Sequence, residues 1–294
     1  MPDLPALHFL SRSLTSQFTG YPGLVSITVF LFGAVLGSFA NVLIYRLPEK
    51  NLLKQTRSHC RHCGAMIPFW LNIPLFSWFL LRGKTACCQQ PYSCQYPLVE
   101  WLTACGFVAI YWYHPFLNTN DNSLSLTSSE ALVRFIHNGL FFYVLLVGSF
   151  IDFRLKIIPN ILTVGLIVTA PIWIFIHPEL SASSSLLGIL LGGLIPLSIS
   201  LIYRILRGRD GLGLGDVKLL AGMGGWLGYQ SIIPTLFTAS IVGSVLGITQ
   251  IILSRGKLGS QTEIPFGPYL AFGALLWLYT GTHVIELMFF NVLP

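Results

Sequence analysis

The chain has 294 residues, 53% of them hydrophobic, 13% aromatic and only 10% charged, with 17 basic against 11 acidic residues for a net charge of +6. So much apolar surface exceeds what one water-soluble core of this length can hide, which excludes an ordinary soluble domain and makes lipid the expected solvent. The basic excess reads as membrane topology and contact with anionic headgroups, so no nucleic-acid partner is expected.

Residues 1–19 mix polar and apolar side chains without a basic start and a short apolar core. That is unlike a cleaved signal peptide, and the first span is expected to serve as an uncleaved anchor. Crossing ~30 Å of hydrocarbon takes about 20 helical residues, and eight apolar segments are read along the chain. They are Leu24 to Leu47, Pro97 to Tyr113, Val133 to Ile151, Ile161 to Ile176, Leu186 to Leu206, a short glycine-rich one from Val217 to Tyr229, Ile232 to Leu253, and Phe266 to Phe290. The runs are continuously apolar and lack the alternation of a membrane barrel. The expected fold is therefore all-α, a polytopic membrane helical bundle of about eight transmembrane helices with a cysteine-containing cytoplasmic loop. Its expected divisions are 1–47 with the first span, the loop at 48–96, the second span and an external loop at 97–132, and a membrane domain at 133–294.

Cytoplasmic loops retain lysine and arginine. The segment after the first span carries Arg46, Lys50, Lys54, Arg57, Arg61, Arg82 and Lys84, whereas 114–132 carries none. Placing the first loop inside and alternating from there puts Arg154, Lys156, Arg204, Arg207, Arg209, Lys218, Arg255 and Lys257 on the same side, and the loop at Glu179 outside. Fifteen of the seventeen basic residues, all but Arg12 and Arg134, then face the cytoplasm.

The inside loop holds five of the six cysteines: Cys60-Arg-His-Cys63, then Cys87, Cys88 and Cys94. In a reducing compartment a C-x-x-C pair more often holds metal than a disulfide, and zinc wants four ligands of this kind. Cys60, Cys63, Cys87, Cys88 and Cys94 are the candidate ligands, with His59 and His62 as substitutes and a loop of free thiols as the alternative. Cys105, inside a span, reads as a packing residue.

Acids near membrane depth are costly and usually face a polar cavity with a partner. Asp152 lies where the Val133 to Ile151 segment meets a short basic turn, with Pro159 and Asn160 suited to starting the next helix. Asp216 follows the glycines of Gly211-Leu-Gly-Leu-Gly, which lack the spacing of a phosphate loop and suit close backbone approach instead. Each alone also reads as an ion pair or a helix cap. Topology nevertheless puts both at one membrane face, and two close carboxylates share a proton and supply an acid and a base together.

At this point the chain resembles the type IV prepilin peptidases, aspartic enzymes related in motif to other GxGD intramembrane proteases. The matching segments are Gly37-Ser-Phe-Ala-Asn-Val-Leu-Ile-Tyr-Arg-Leu-Pro48, Cys60-Arg-His-Cys63, Asn72-Ile-Pro-Leu-Phe-Ser-Trp78, Tyr96-Pro-Leu-Val-Glu100, the Asp152 segment, Gly213-Leu-Gly-Asp216, and Ile264-Pro-Phe-Gly-Pro268, in family order. The resemblance implies Asp152 and Asp216 as the catalytic pair. It also implies cleavage of the basic leader of prepilins or secretion pseudopilins at the cytoplasmic face of the bacterial inner membrane, and methylation of the new N-terminus with S-adenosylmethionine. Pilus or secretion assembly components are the implied partners. Two positions depart from the pattern. The second C-x-x-C expects its first cysteine at Thr85, with Cys88 as its second, so Cys87 or Cys94 must compensate. Asn160 stands where another acid is common. Glu100 reads either as part of a methyl-transfer site beside the cysteine loop or as a helix-start carboxylate held by the helix dipole. A proton-coupled transporter using the Asp pair and a non-catalytic secretion scaffold are the rival classes.

Overall fold

The computed structural model describes residues 22–49, 59–60, 62–113, 115, 128–176, 180–208, 211–253 and 265–290. Regular structure among them is helical, apart from two isolated antiparallel bridges. The helices are α1 (Pro22–Arg46), the short α2 (Phe76–Leu80), α3 (Gln95–Tyr113), α4 (Ser128–Leu155), α5 (Asn160–Ile176), α6 (Ala182–Arg207), α7 (Leu214–Leu227), α8 (Ile232–Leu253) and α9 (Gly267–Phe290). Four stretches are long and apolar enough to cross a bilayer: Gly23–Arg46, Glu130–Leu155, Ala182–Arg207 and Tyr229–Leu253. They make this an integral membrane protein. The basic residues read as cytoplasmic at Lys50, Lys54, Arg57, Arg61, Arg209, Arg255 and Lys257 lie outside the described residues, as do Arg12, Glu179, Ile264 and residues 1–19.

Two compact units divide the chain, Met1–Tyr143 and Val144–Pro294, and the boundary falls within α4. In the first unit, α1 packs on α3 through two glycines one turn apart. A Cβ on Gly33 would stand 2.8 Å from the Ala104 backbone, and one on Gly37 would stand 2.6 Å from the Glu100 backbone. In lipid such close approach replaces the hydrophobic drive between helices, because apolar side chains gain nothing by leaving lipid tails for each other. Phe107 of α3 receives the ring edges of Phe32, Phe135 and Phe142, and the Tyr143 hydroxyl donates to the Leu36 carbonyl at 3.0 Å.

In the second unit, α7 is the centre. Val217 and every residue from Leu219 to Trp226 are buried, as expected of a helix that is apolar all round. Along α6 the buried positions Gly188, Gly192 and Pro196 recur every four residues. Gly188 lies directly on Gly224 of α7, and Gly192 on the Leu220 carbonyl. The opposite face of α6 exposes Leu186, Leu190, Leu194, Leu197 and Leu201, an apolar stripe suited to lipid tails. Cross-helix bonds pin the packing: Ser185 Oγ donates to the Gly225 carbonyl at 2.7 Å and Trp226 Nε1 to the Leu166 carbonyl at 2.8 Å.

Two helix starts lie four or more residues ahead of the hydropathy reading. α4 begins at Ser128 and not Val133, and α6 at Ala182 and not Leu186. Both have polar first turns that hydropathy discounts. In α6 the Ser181 side chain accepts the Ser184 N–H, a helix cap in the usual sense.

Candidate active site and metal centre

Asp152 sits in the last turn of α4. The helix stops just after it, because Lys156 takes a left-handed backbone (φ 55°) while its N–H closes on the Asp152 carbonyl at 2.8 Å. The Asp152 side chain is buried, and Oδ2 accepts the N–H of Gly267, the first residue of α9, at 2.9 Å. A Cβ at position 267 would stand 2.8 Å from that same oxygen, so glycine is needed there for the backbone to reach the acid.

Asp216 is the third residue of α7, half-buried, after the turn at Gly213. Its own N–H bonds the Gly213 carbonyl, and a Cβ on Gly213 would stand 3.3 Å from its Oδ2. Asp152 and Asp216 act on each other electrostatically. Their two segments also meet at one side chain: Ile158 lies within 3.4 Å of a Cβ at Gly215 and within 3.1 Å of one at Gly267. Two acids thus arrive from different helices, flanked by Gly213, Gly215 and Gly267. Nearby, Lys218 Nζ donates to Asn160 Oδ1 at 3.0 Å, tying the start of α5 to α7.

The cysteine loop contains two like turns, 25 residues apart. In the first, Cys60 N–H bonds the Ala65 carbonyl at 2.8 Å and Gly64 N–H bonds the Cys60 carbonyl at 2.9 Å. In the second, Thr85 N–H bonds the Gln90 carbonyl and Gln89 N–H bonds the Thr85 carbonyl, both at 2.9 Å. Gly64 and Gln89 share the left-handed backbone, and the bridges His59 to Met66 and Lys84 to Pro91 close the two turns alike. Thr85 therefore occupies the place that Cys60 holds in the first turn. Its hydroxyl lies 3.2 Å from Cys88 Sγ.

The sulfurs of Cys60, Cys63, Cys87 and Cys88 lie within 4.8 Å of one another. Individual separations are 3.7 Å for Cys60 to Cys88, 3.3 Å for Cys63 to Cys87 and 4.0 Å for Cys87 to Cys88. A tetrahedral Zn–S length of about 2.3 Å asks for sulfurs roughly 3.8 Å apart, so these thiols fit such an ion. Cys94 is exposed and lies outside the four, as do His59 and His62. Backbone N–H groups of Cys63 and His62 lower the Cys60 thiol to about 6. The Cys63 and Cys60 sulfurs hold the Cys87 thiol up at about 12. Cys105 is half-buried in α3, apart from the group.

Glu100, in the second turn of α3, is also buried. Its Oε2 accepts the Leu75 N–H at 2.7 Å, and the Ser38 hydroxyl bonds its side chain. Leu75 itself is held in a strained conformation (φ 61°, ψ −53°). The sequence marked Glu100 but not these partners, Leu75 brought by the turn before α2 and Ser38 by α1.

Residues 31–114 match the family model of the bacterial peptidase A24 N-terminal domain, and residues 139–248 match that of the type IV leader peptidase family. A prepilin leader peptidase/N-methyltransferase of Aeromonas hydrophila is 34% identical over 285 residues, 88% of this chain and 92% of the relative. Relatives of the same name from Stutzerimonas stutzeri and Pseudomonas aeruginosa are 34% and 32% identical. They cover 84% and 90% of this chain and 89% and 94% of their own lengths. No solved structure matches the chain.

Proposed function

The chain belongs to the type IV leader peptidase family, and on that premise we propose that it cleaves the basic leader from type IV prepilins or secretion pseudopilins and then methylates the new N-terminus with S-adenosylmethionine. The observation that carries the peptidase reading is the convergence of Asp152 and Asp216, from two helices, on glycine backbone around Ile158.

One aspartate takes a proton from water as the water oxygen attacks the scissile carbonyl. The other, initially protonated, hydrogen-bonds the carbonyl oxygen and then protonates the departing amine. The glycine segment before Asp216 would give an extended substrate backbone room beside the acids.

In this reading the eight longer helices all cross the bacterial inner membrane, with the acids and cysteine loop at the cytoplasmic face. Segment 48–96 is a zinc module and 133–294 the peptidase domain. Cys60, Cys63, Cys87 and Cys88 would hold a zinc ion, which would supply four cross-links to fold the loop and no catalytic chemistry.

The test is reconstitution with a prepilin and mass spectrometry of its products. Asp152→Asn and Asp216→Asn should each abolish cleavage, and retained cleavage by either variant overturns the dyad. The same spectra report whether the new N-terminus gains a methyl group.

A further inference from the structure

The short helix α2 is built inside out. Of its five residues, Phe-Ser-Trp-Phe-Leu, the serine is buried, while Phe76, Phe79 and Leu80 are 59%, 66% and 61% exposed. Ile73, in the turn before it, is exposed as well. An element facing water does the reverse, so a contiguous apolar face of this kind marks contact with another protein or with lipid.

Depth decides between them. α2 hangs from Leu75, whose N–H is bonded to Glu100 of α3 at 2.7 Å. Glu100 in turn lies opposite Gly37 of α1, where a Cβ would stand 2.6 Å from its backbone. The membrane-spanning stretch Gly23–Arg46 runs on for nine residues beyond Gly37, about 13 Å at 1.5 Å per residue. A glutamate side chain is too short to cover that distance. The start of α2 is therefore held below the end of the span and not above it. At the same level α3 exposes Leu98, Trp101 and Leu102, the side chains that a lipid-facing helix presents.

Charge agrees with lipid. Between Glu49 and Glu100 there is no acidic residue, whereas Lys50, Lys54, Arg57, Arg61, Arg82 and Lys84 are basic. Arg82 and Lys84 follow directly on α2 and are exposed. Arg82 takes a left-handed backbone (φ 51°) just past the helix, where the Gly83 N–H closes on the Trp78 carbonyl at 3.0 Å. Apolar side chains followed at once by cations match the acyl chains and phosphates of an anionic leaflet. The same cations oppose a basic leader, which makes the substrate of the proposed reaction a poor occupant for this face.

We propose that Ile73, Phe76, Phe79 and Leu80 insert among the acyl chains of the bilayer, with Arg82 and Lys84 at the phosphates of anionic headgroups. The cysteine loop then lies on the membrane and is not a domain free in water. It is fastened at three places, by the helices at its two ends and by α2 between them.

The test places an encoded fluorescent amino acid at position 79 of the full chain and reads its quenching in vesicles of phosphatidylcholine and phosphatidylglycerol brominated in their acyl chains. Labels at position 190, on the exposed stripe of α6, and at position 89, in the second cysteine turn, serve as the lipid and water references. The label at 79 should lose as much emission to brominated lipid as the label at 190, and aqueous iodide should quench only the label at 89. Quenching at 79 by iodide overturns the insertion. So does quenching by neither agent, the result for a face covered by a second copy or another protein. Bromine carried by phosphatidylglycerol alone should quench more than bromine carried by phosphatidylcholine alone, through a local enrichment of about fivefold for each cation in contact. Arg82→Gln and Lys84→Gln together should abolish that difference. Equal quenching by the two lipids with both cations in place overturns the headgroup contacts. Position 76 carries the same expectations, so a label that spoils folding at 79 leaves the other to decide.

Discussion

Glu100 in the first unit and Asp152 in the second have closely similar settings. Each is a buried helical acid that accepts one backbone N–H from a distant turn, Leu75 at 2.7 Å and Gly267 at 2.9 Å. Each also lies against a glycine that allows no Cβ, Gly37 and Gly267. The difference is what else each one meets. Asp152 lies within electrostatic reach of a second carboxylate, Asp216. Glu100 meets neutral polar groups, the Leu75 N–H and the Ser38 hydroxyl. Similar backbone solutions thus hold two neighbouring acids in the second unit and a single one in the first.

The sharpest way to break this comparison is to neutralise each acid separately. Asn at position 152 or 216 should lower prepilin cleavage by about 10²- to 10⁴-fold, the usual worth of a positioned acid or base, while S-adenosylmethionine affinity stays at the wild-type value. A calorimetric change in donor binding with either variant would show that the acids of the two units do not act independently.

A second test concerns the cysteine loop. Cys87→Ser should lower zinc affinity by more than the 10- to 100-fold typical of an outer-shell change, as read by competition with a chromogenic chelator. Adding Thr85→Cys should restore it, because position 85 repeats the place of Cys60 in the second turn. Full zinc affinity in Cys87→Ser alone removes Cys87 from the ligand set.

The glycines give a smaller effect. Gly37→Ala should destabilise the first unit by about 1–3 kcal/mol through overpacking against the Glu100 backbone, while Gly267→Ala should chiefly slow cleavage by crowding Asp152. Thermal unfolding and cleavage assays on the two variants separate these outcomes.

The smallest effect is one of pH. With Cys60 lowered to about 6 and Cys87 raised to about 12, the metal-free loop at pH 7 carries Cys60 mainly as thiolate and Cys87 as thiol. Zinc binding must therefore expel the Cys87 proton, and affinity should rise with pH. Without metal the signs oppose. Cys60 ionises more readily folded than unfolded, so it stabilises the loop above 9 and that contribution is lost as pH falls through about 6. Cys87 ionises less readily when folded, so its contribution declines as pH rises above 9. Chelator competition across pH 6–9 reads the first trend, and unfolding of the metal-free chain reads the other two.

Legibility in the sequence followed the range of the interaction. The helices were readable because hydropathy is local, and Asp152 and Asp216 stood out because charge placement and glycine spacing are visible along the chain. Cys60 and Cys63 were equally plain as a C-x-x-C pair. Choosing Cys87 over Cys94 was not possible, since it depends on the second turn folding back so that residues 85–90 repeat 60–65. The surroundings of Glu100 were hidden for a like reason: a left-handed Leu75 bonded to it is a product of tertiary structure. The short α2 and the 3₁₀ turn at Phe69–Asn72 went unread because each is too brief to show a period.

α7 has 14 residues, so it is roughly 21 Å long at 1.5 Å per residue, against a hydrocarbon thickness of ~30 Å. On the proposed topology a helix this short, held by its neighbours and not by lipid, ends below a membrane surface on at least one side, so water would have to descend to meet the end that bears Asp216. The nucleophile for peptide hydrolysis would then be delivered by the length of one buried helix, and a bilayer of thicker lipids should slow cleavage without any change to the acids themselves.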